Sequence, residues 1–333
     1  MTVDVLLPFR DASEWIEDAV RSLLAQTHRD FRALLLDDGS DDDGAERVTR
    51  AVAADPRFLV RRREPRGLVA SLNELVAWSN APLLARLDAD DIAAPERLER
   101  QVARFAAASP PDVVSCRVSF RGTISPRLRR YETWLNSLVT HEEIEADLWV
   151  ESPIPHPTAM IRRDALLALG GYRDFDGPED YDLWLRGWRA GWRFEKVPEV
   201  LMELRDHEAR LTKTDSRYLS RAFLDLKATH LVEARELVGR DVVVWGAGRD
   251  GVRTAKALRD RGANLVAFVD VAPTKIGRQR RGVPTEPIEF LRLEHGRRPY
   301  VVAAVGVRGA RALIRERLRE YGYSEGAEFA CFG

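Results

Sequence analysis

Short apolar runs alternate with segments of helical period from the N-terminus onward, and few folds accept that pattern. Residues 3–8, 31–36 and 58–61 read as strands, and residues 82–85 lead into a fourth. Helices are predicted over residues 14–25, 45–54 and 68–78. In the first, Trp15, Ile16, Ala19, Val20 and Leu23 recur at helical spacing, with Asp11 or Ser13 as the cap. This alternation predicts an α/β fold with a mostly parallel sheet. Such sheets bind ligands beyond the carboxyl ends of their strands. Two acidic clusters fall at those ends, Asp37-Asp38-Gly39-Ser40 and Asp88-Ala89-Asp90-Asp91, and are expected in one crevice.

The second cluster carries the sharper chemistry. Three carboxylates closing a buried strand repel one another unless a cation lies among them. Mg²⁺ and Mn²⁺ take carboxylate oxygen and leave coordination places for water and substrate phosphate. In an extended segment residues i and i+2 point the same way, so Asp88 and Asp90 would face one ion or its diphosphate. Taken alone, either cluster has a plainer alternative: a solvated turn or a helix cap.

The 333 residues allow two domains. With 52 basic and 53 acidic residues the net charge is −1, so no global field favours nucleic acid or an anionic membrane. Cys116 and Cys331 make neither a disulfide framework nor a metal-type spacing. The N-terminus lacks the pattern of a signal peptide, and no apolar run approaches the roughly 20 residues of a membrane helix. The expectation is a cytoplasmic protein, with peripheral docking on the inner face of the membrane left open.

Several of these stretches together resemble the opening of family 2 glycosyltransferases: Leu6-Leu7-Pro8-Phe9-Arg10, Ser22-Leu23-Leu24-Ala25-Gln26-Thr27, Leu36-Asp37-Asp38-Gly39-Ser40, Asn73, and Leu87-Asp88-Ala89-Asp90-Asp91. The resemblance implies a GT-A fold over residues 1–215. It also implies transfer of a single sugar, with inversion, from a nucleotide-diphosphate sugar to a glycan or glycolipid acceptor, as in surface polysaccharide biosynthesis. Carried over by position, Pro8, Arg10, Asp37, Asp38, Asn73 and Asp88 contact the donor, and Asp90 with Asp88 holds a divalent metal. The chain departs from the family pattern at Phe9-Arg10 and at Glu64-Pro65-Arg66-Gly67. It lacks the Gln-x-x-Arg-Trp of processive members and the Gly-x-Gly-Thr-Arg loop of sugar nucleotidyltransferases.

Further along, Arg127, Arg129 and Arg130 precede a mixed helix; a phosphate, a membrane surface or plain solvent are the alternatives there. His156 has three: a metal ligand, a hydroxyl contact or a structural histidine. The second anchor is Gly170-Gly171-Tyr172 through Glu179-Asp180-Tyr181-Asp182-Leu183-Trp184-Leu185-Arg186. An acid at a helix N-terminus is stabilised as the anion. Inverting transfer needs one base for the acceptor hydroxyl. The resemblance gives that role to Asp180, supported by Glu179. It also places Arg205 at the diphosphate and His207 at the diphosphate or the metal.

After a helical linker over residues 216–237, the pattern restarts. A strand over 241–245 leads into Gly246-Ala247-Gly248-Arg249-Asp250-Gly251, a helix over 252–261 and a strand over 264–269 that ends at Asp270. This is the context of a dinucleotide fingerprint, with Gly246, Gly248 and Gly251 for a diphosphate and Asp270 for a ribose. A strand over 299–305 and a helix over 308–321 complete a small Rossmann-like unit, residues 238–333. It resembles the small domain ahead of bacterial sugar O-acyltransferase domains. A nucleotide, a nucleotide sugar or NAD(P) are its candidate ligands, with a ligand-free scaffold as the alternative. Besides the transferase, two other readings stay open: a nucleotide-sensing protein with a silent first domain, and a bifunctional enzyme using NAD(P).

Overall fold

The computed structural model describes residues 1–53, 55–122, 124–292 and 298–333, and the chain divides into two compact units. The first comprises residues 1–144, 153–175 and 179–214. The second comprises residues 145–152, 176–178 and 215–333.

The elements of the N-terminal half are β1 (Val3–Phe9), α1 (Ile16–Leu24), β2 (Phe31–Asp37), α2 (Gly44–Val52), β3 (Phe58–Arg62), α3 (Leu68–Trp78), β4 (Leu83–Arg86), β5 (Ile92–Ala93), α4 (Arg97–Phe105) and β6 (Val113–Arg121). They continue with α5 (Pro126–Ser137), α6 (His141–Asp147), β7 (Met160–Arg162), α7 (Arg163–Ala168), α8 (Glu179–Arg189), β8 (Phe194–Arg205) and α9 (Leu211–Thr214). The eight strands form one mixed sheet in the order β3-β2-β1-β4-β7-β6-β8-β5. β3, β2, β1 and β4 run parallel, as the alternation predicts, and β7 is antiparallel to both β4 and β6. Every residue of β1 is buried, as a strand covered on both faces must be. The helix expected to reach Ala54 ends at Val52, and Ala54 itself lies outside the described residues.

Two local expectations are corrected. Neither Asp11 nor Ser13 caps α1, whose N-cap is Trp15 without a side-chain bond. Asp11 sits at φ +49° and accepts the Asp41 amide, while the Ser13 amide donates to Asp42. The Asp11 and Asp42 side chains, each taking a backbone amide of the other loop, therefore lace the β1–α1 loop to the β2–α2 loop. The twelve-residue β8 is absent from the sequence reading because Pro198 and Glu199 interrupt its pattern. The pairing with β6 jumps from Cys116↔Val197 to Arg117↔Val200, so this irregularity absorbs the proline.

Buried polar groups pin the sheet as firmly as its apolar core. Gln26 donates to the Ser22 and Ala94 carbonyls and accepts from the Leu98 amide. Gln101 donates to the carbonyls of Val114 and Thr158. Asp4, fully buried, takes a two-pronged bond from Arg32 at 2.8 and 2.6 Å.

The second unit carries α10 (Ser220–Val232), β9 (Asp241–Trp245), α11 (Arg249–Arg259), β10 (Asn264–Val269), β11 (Gln279–Arg280), β12 (Val283–Glu286), β13 (Tyr300–Ala303), α12 (Ala310–Glu320) and β14 (Phe329–Cys331). Its sheet order is β11-β12-β10-β9-β13-β14, parallel from β12 to β14, with β11 antiparallel at the edge. Segment 145–152 joins this unit through Asp147, which pairs with Arg315 at 2.7 Å and with Arg311 at 3.3 Å. Among the described residues no helix is long and apolar enough to cross a membrane.

Candidate active site

β2, β1 and β4 lie side by side in the sheet, and the loops that leave them carry the candidate site residues of the first unit. Pro8 is buried in register with Leu36, and Arg10, just past the strand, is exposed beside Asp11. Asp37 is fully buried. Its Oδ1 accepts from the amide and hydroxyl of Ser40 at 2.8 and 2.6 Å, and its Oδ2 has no hydrogen-bond partner. Both Asp38 oxygens are engaged: Oδ1 by Arg63 and the Arg66 amide, Oδ2 by the Gly67 amide at 2.7 Å. Asp38 thus shapes the turn into α3. Asn73 grips the backbone of Tyr172 both ways, donating to its carbonyl at 2.8 Å and accepting from its amide at 2.9 Å.

β4 delivers Arg86, which is 1% exposed. Nη1 donates to the carbonyls of Leu6 and Leu87, each at 2.7 Å, and Nη2 donates to Asp88. Past the strand, Asp88, Asp90 and Asp91 each turn a carboxylate oxygen inward, and the three oxygens lie within 4.8 Å of one another. Asp91 is fully buried; Oδ1 accepts from the Arg205 amide at 3.0 Å, and Oδ2 has no partner. Burial pushes this carboxyl well above the usual range. The Arg210 guanidinium opposes that, and the charges of Asp90 and Asp88 add to it. Asp90 meets His207 Nε2 at 2.9 Å, and the His207 ring stacks on Trp15 with centroids 4.0 Å apart. Arg205 donates to Asp18 at 3.0 Å. A buried carboxylate oxygen without a partner, beside two more carboxylates, is the donor set a hard divalent cation takes. The residues present fit such an ion.

Glu179 and Asp180 occupy the first turn of α8, where the helix dipole favours anions. Glu179 is 3% exposed; Asp180, partly buried, accepts from the Tyr181 amide at 2.7 Å. Burial raises the Asp180 carboxyl well above its ordinary range, and the charges of Glu179 and Asp88 raise it further. That electrostatic link puts Asp180 and the acidic cluster in one neighbourhood. A carboxylate of raised proton affinity at a crevice is suited to accept a proton near neutral pH. The helix is fixed from behind. Arg186 bonds Asp182 at 2.6 Å and the carbonyls of Leu169 and Gly171, and Trp184 Nε1 donates to the Ile154 carbonyl at 3.1 Å.

In the second unit the glycines divide. A Cβ on Gly251 would lie 1.6 Å from the Gly246 carbonyl oxygen, and Gly246, at φ +116°, abuts Ala304 and Val305. Packing accounts for both. Gly248 faces open space, its nearest neighbour being Lys275 Nζ at 4.0 Å. Asp270 accepts from the Ala247 amide at 2.8 Å and from Lys275 Nζ at 2.9 Å. Its carboxyl lies below the ordinary range: burial alone would raise it, but the bonds from Lys275, Ala272 and Ala247 prevail.

The roles of four site residues escape the sequence reading. Asp91 counts among the three carboxylates in sequence but not among the named ligands, because the i, i+2 rule assumes a strand, whereas β4 ends at Arg86 and the chain turns, with the Asp91 amide bonded to the Asp88 carbonyl. Arg210 and Trp15 reach the cluster only through the tertiary fold. Arg86 closes the buried strand β4, and a charged residue at that place gives no sign in the sequence of its direction.

Comparison with known proteins bears on the family and the fold. Residues 4–170 match the family described as Glycosyl transferase family 2. EpsE of Bacillus subtilis, named as a glycosyltransferase, is 30% identical over 210 residues, 61% of this chain and 73% of the relative. The O-antigen biosynthesis glycosyltransferase WbnJ of Escherichia coli is 26% identical over 230 residues, 68% of this chain and 87% of the relative. Among solved structures, S. aureus TarS 1-349 in complex with UDP-GlcNAc superposes with a TM-score of 0.56 at 15% identity, covering 78% of this chain and 71% of that one. The mannosyltransferase PcManGT of Pyrobaculum calidifontis, in complex with GDP-Man and Mn²⁺, gives 0.51 at 22% identity, covering 70% and 62%. These likenesses agree with a GT-A type of fold, and by its sequence the chain is a glycosyltransferase that belongs to glycosyl transferase family 2.

Proposed function

We propose that the first unit moves a single sugar, with inversion, from a nucleotide-diphosphate sugar to a glycan or glycolipid acceptor, aided by Mg²⁺ or Mn²⁺. The observation that carries this reading is the pairing of a proton acceptor, Asp180, with the cluster of Asp88, Asp90 and Asp91 in one neighbourhood. Asp88, Asp90 and Asp91, with His207, would hold the cation, which when bound offsets the charge of the departing diphosphate. Asp37, Asp38, Pro8 and Arg10 line the donor's nucleoside end, and Arg205 supplies positive charge near the cluster. Asn73, spent on Tyr172, supports the site from outside. Asp180 takes the acceptor hydroxyl's proton as its oxygen attacks the anomeric carbon, and Glu179 holds the local charge. Relatives named for O-antigen and amylovoran biosynthesis favour a surface-polysaccharide acceptor.

For the second unit we propose a Rossmann-like module. The open space over Gly248 favours a nucleotide or nucleotide sugar there.

The test is the anomeric configuration of the product by NMR, with the parent and Asp180→Asn compared. Loss of a general base costs about 10²–10⁴ in turnover, while nucleotide-diphosphate binding should stay within twofold. Parental turnover in the variant, or a retained anomeric configuration, would refute the reading.

A further inference from the structure

His156 is not needed by the chemistry above, yet it is held more tightly than a core histidine requires. Its ring is 7% exposed, between Tyr172 and Glu179, each 3% exposed. Nε2 lies 2.9 Å from the Tyr172 hydroxyl, and Nδ1 lies 3.7 Å from Glu179 Oε1. The ring stands edge-on to Trp184, centroids 6.2 Å apart, and Trp184 is itself anchored to the Ile154 carbonyl. Tyr172 is fixed in turn by the two-way grip of Asn73 from α3. Gly171, at φ +75°, makes room for that grip; a Cβ there would lie 2.7 Å from Asn73 Oδ1.

We propose that Tyr172 and His156 form a strap of positioning residues that fixes Glu179 and, through it, the proton acceptor Asp180; this rests on the reading of Asp180 as the base. A buried phenol and imidazole could satisfy each other anywhere in a core. Here the second imidazole nitrogen faces the carboxylate that immediately precedes the base. Burial, and then the nearby Arg86 charge, hold His156 well below its usual pKa, so the ring is neutral. With the Tyr172 hydroxyl donating to Nε2, the Nδ1–H faces Glu179 and favours its anion. Tyr172 and Asp88 act on this pair of acids, and Arg86, from β4, acts on His156 and Tyr172. Without the strap Glu179 takes a proton more readily, and Asp180 becomes a weaker and less well-placed base.

The experiment uses the full chain, with UDP-GlcNAc and GDP-mannose as donor probes in Mn²⁺. His156→Leu should lower kcat by about tenfold to a hundredfold, leave the donor KM within twofold, and move the acid limb of the kcat profile to lower pH. His156→Asn, which keeps an N–H on the Nδ1 side, should restore the limb. Tyr172→Phe, the mildest change, should act in the same direction if His156→Leu does not fold. A second readout needs no turnover. The raised Asp180 pKa costs the parent stability, relative to Asp180→Asn, as pH rises above the ordinary carboxylate range. That pH-dependent gap should shrink in His156→Leu and persist in His156→Asn. An unmoved limb or an unchanged gap in His156→Leu or Tyr172→Phe overturns the strap. Parental turnover in Asp180→Asn would instead overturn the base assignment.

Discussion

Replacing Asp91 by Asn tests whether the acidic cluster is a cation site or a buried anchor for β8. The carboxylate oxygens of Asp88, Asp90 and Asp91 lie within 4.8 Å of one another. At an effective dielectric constant of about 20, two full unit charges at that distance repel by about 3.5 kcal/mol, part of which the raised proton affinity of Asp91 already relieves. Arg210 offsets part of this, and an Asn at position 91 can still accept the Arg205 amide through its carbonyl. Its amide NH₂ would then replace the partnerless Oδ2, at a cost of about 1–3 kcal/mol. The balance is a gain of about 1 kcal/mol for the metal-free chain, or roughly 2–4 °C in midpoint. Thermal unfolding in chelator and in Mn²⁺ reads both states. Asp91→Asn should melt slightly above the parent in chelator and lose most of the parent's Mn²⁺-dependent rise. A lower midpoint in chelator with the Mn²⁺ rise intact would refute the reasoning and leave Asp91 as an anchor.

Asp4 tests the buried framework. Burial alone would raise its pKa, but the bonds from Arg32, Ser79 and the Ala81 amide, together with the Arg32 charge, lower it. Its stabilising effect is therefore present above the unfolded pKa and is lost as pH falls through the folded one. Asp4→Asn should cost about 3 kcal/mol at pH 7, with the gap to the parent closing in an acid titration of stability below about pH 4. Gly171→Ala combines a positive φ with a Cβ 2.7 Å from Asn73 Oδ1, and should cost about 2 kcal/mol or more in denaturant unfolding. Trp15→Ala removes the platform under His207, and should weaken Mn²⁺-dependent nucleotide binding more than metal-free binding in calorimetry.

The apolar runs of β1, β2 and β4 were legible because a strand covered on both faces must be continuously apolar, and little else competes for that pattern. Asp88, Asp90 and Asp180 stood out as candidates only through the family resemblance, because acids at strand and helix ends serve equally as turns and caps. β8 was not, since Pro198 breaks its alternation and only the irregular pairing with β6 accommodates it. The bonds of Asn73 were not legible, because its partner Tyr172 is brought to it only by the fold. Arg210 and Trp15 share that origin: their roles depend on the chain returning to the crevice after β8.

The most direct measurement is thermal stabilisation of the full chain by UDP, GDP and their sugar derivatives, with and without Mn²⁺, for the parent and Asp90→Ala. A nucleotide-diphosphate shift that requires Mn²⁺ in the parent and disappears in Asp90→Ala is the predicted result. An equal shift in both chains, or one indifferent to Mn²⁺, would contradict a metal-assisted donor site at the acidic cluster.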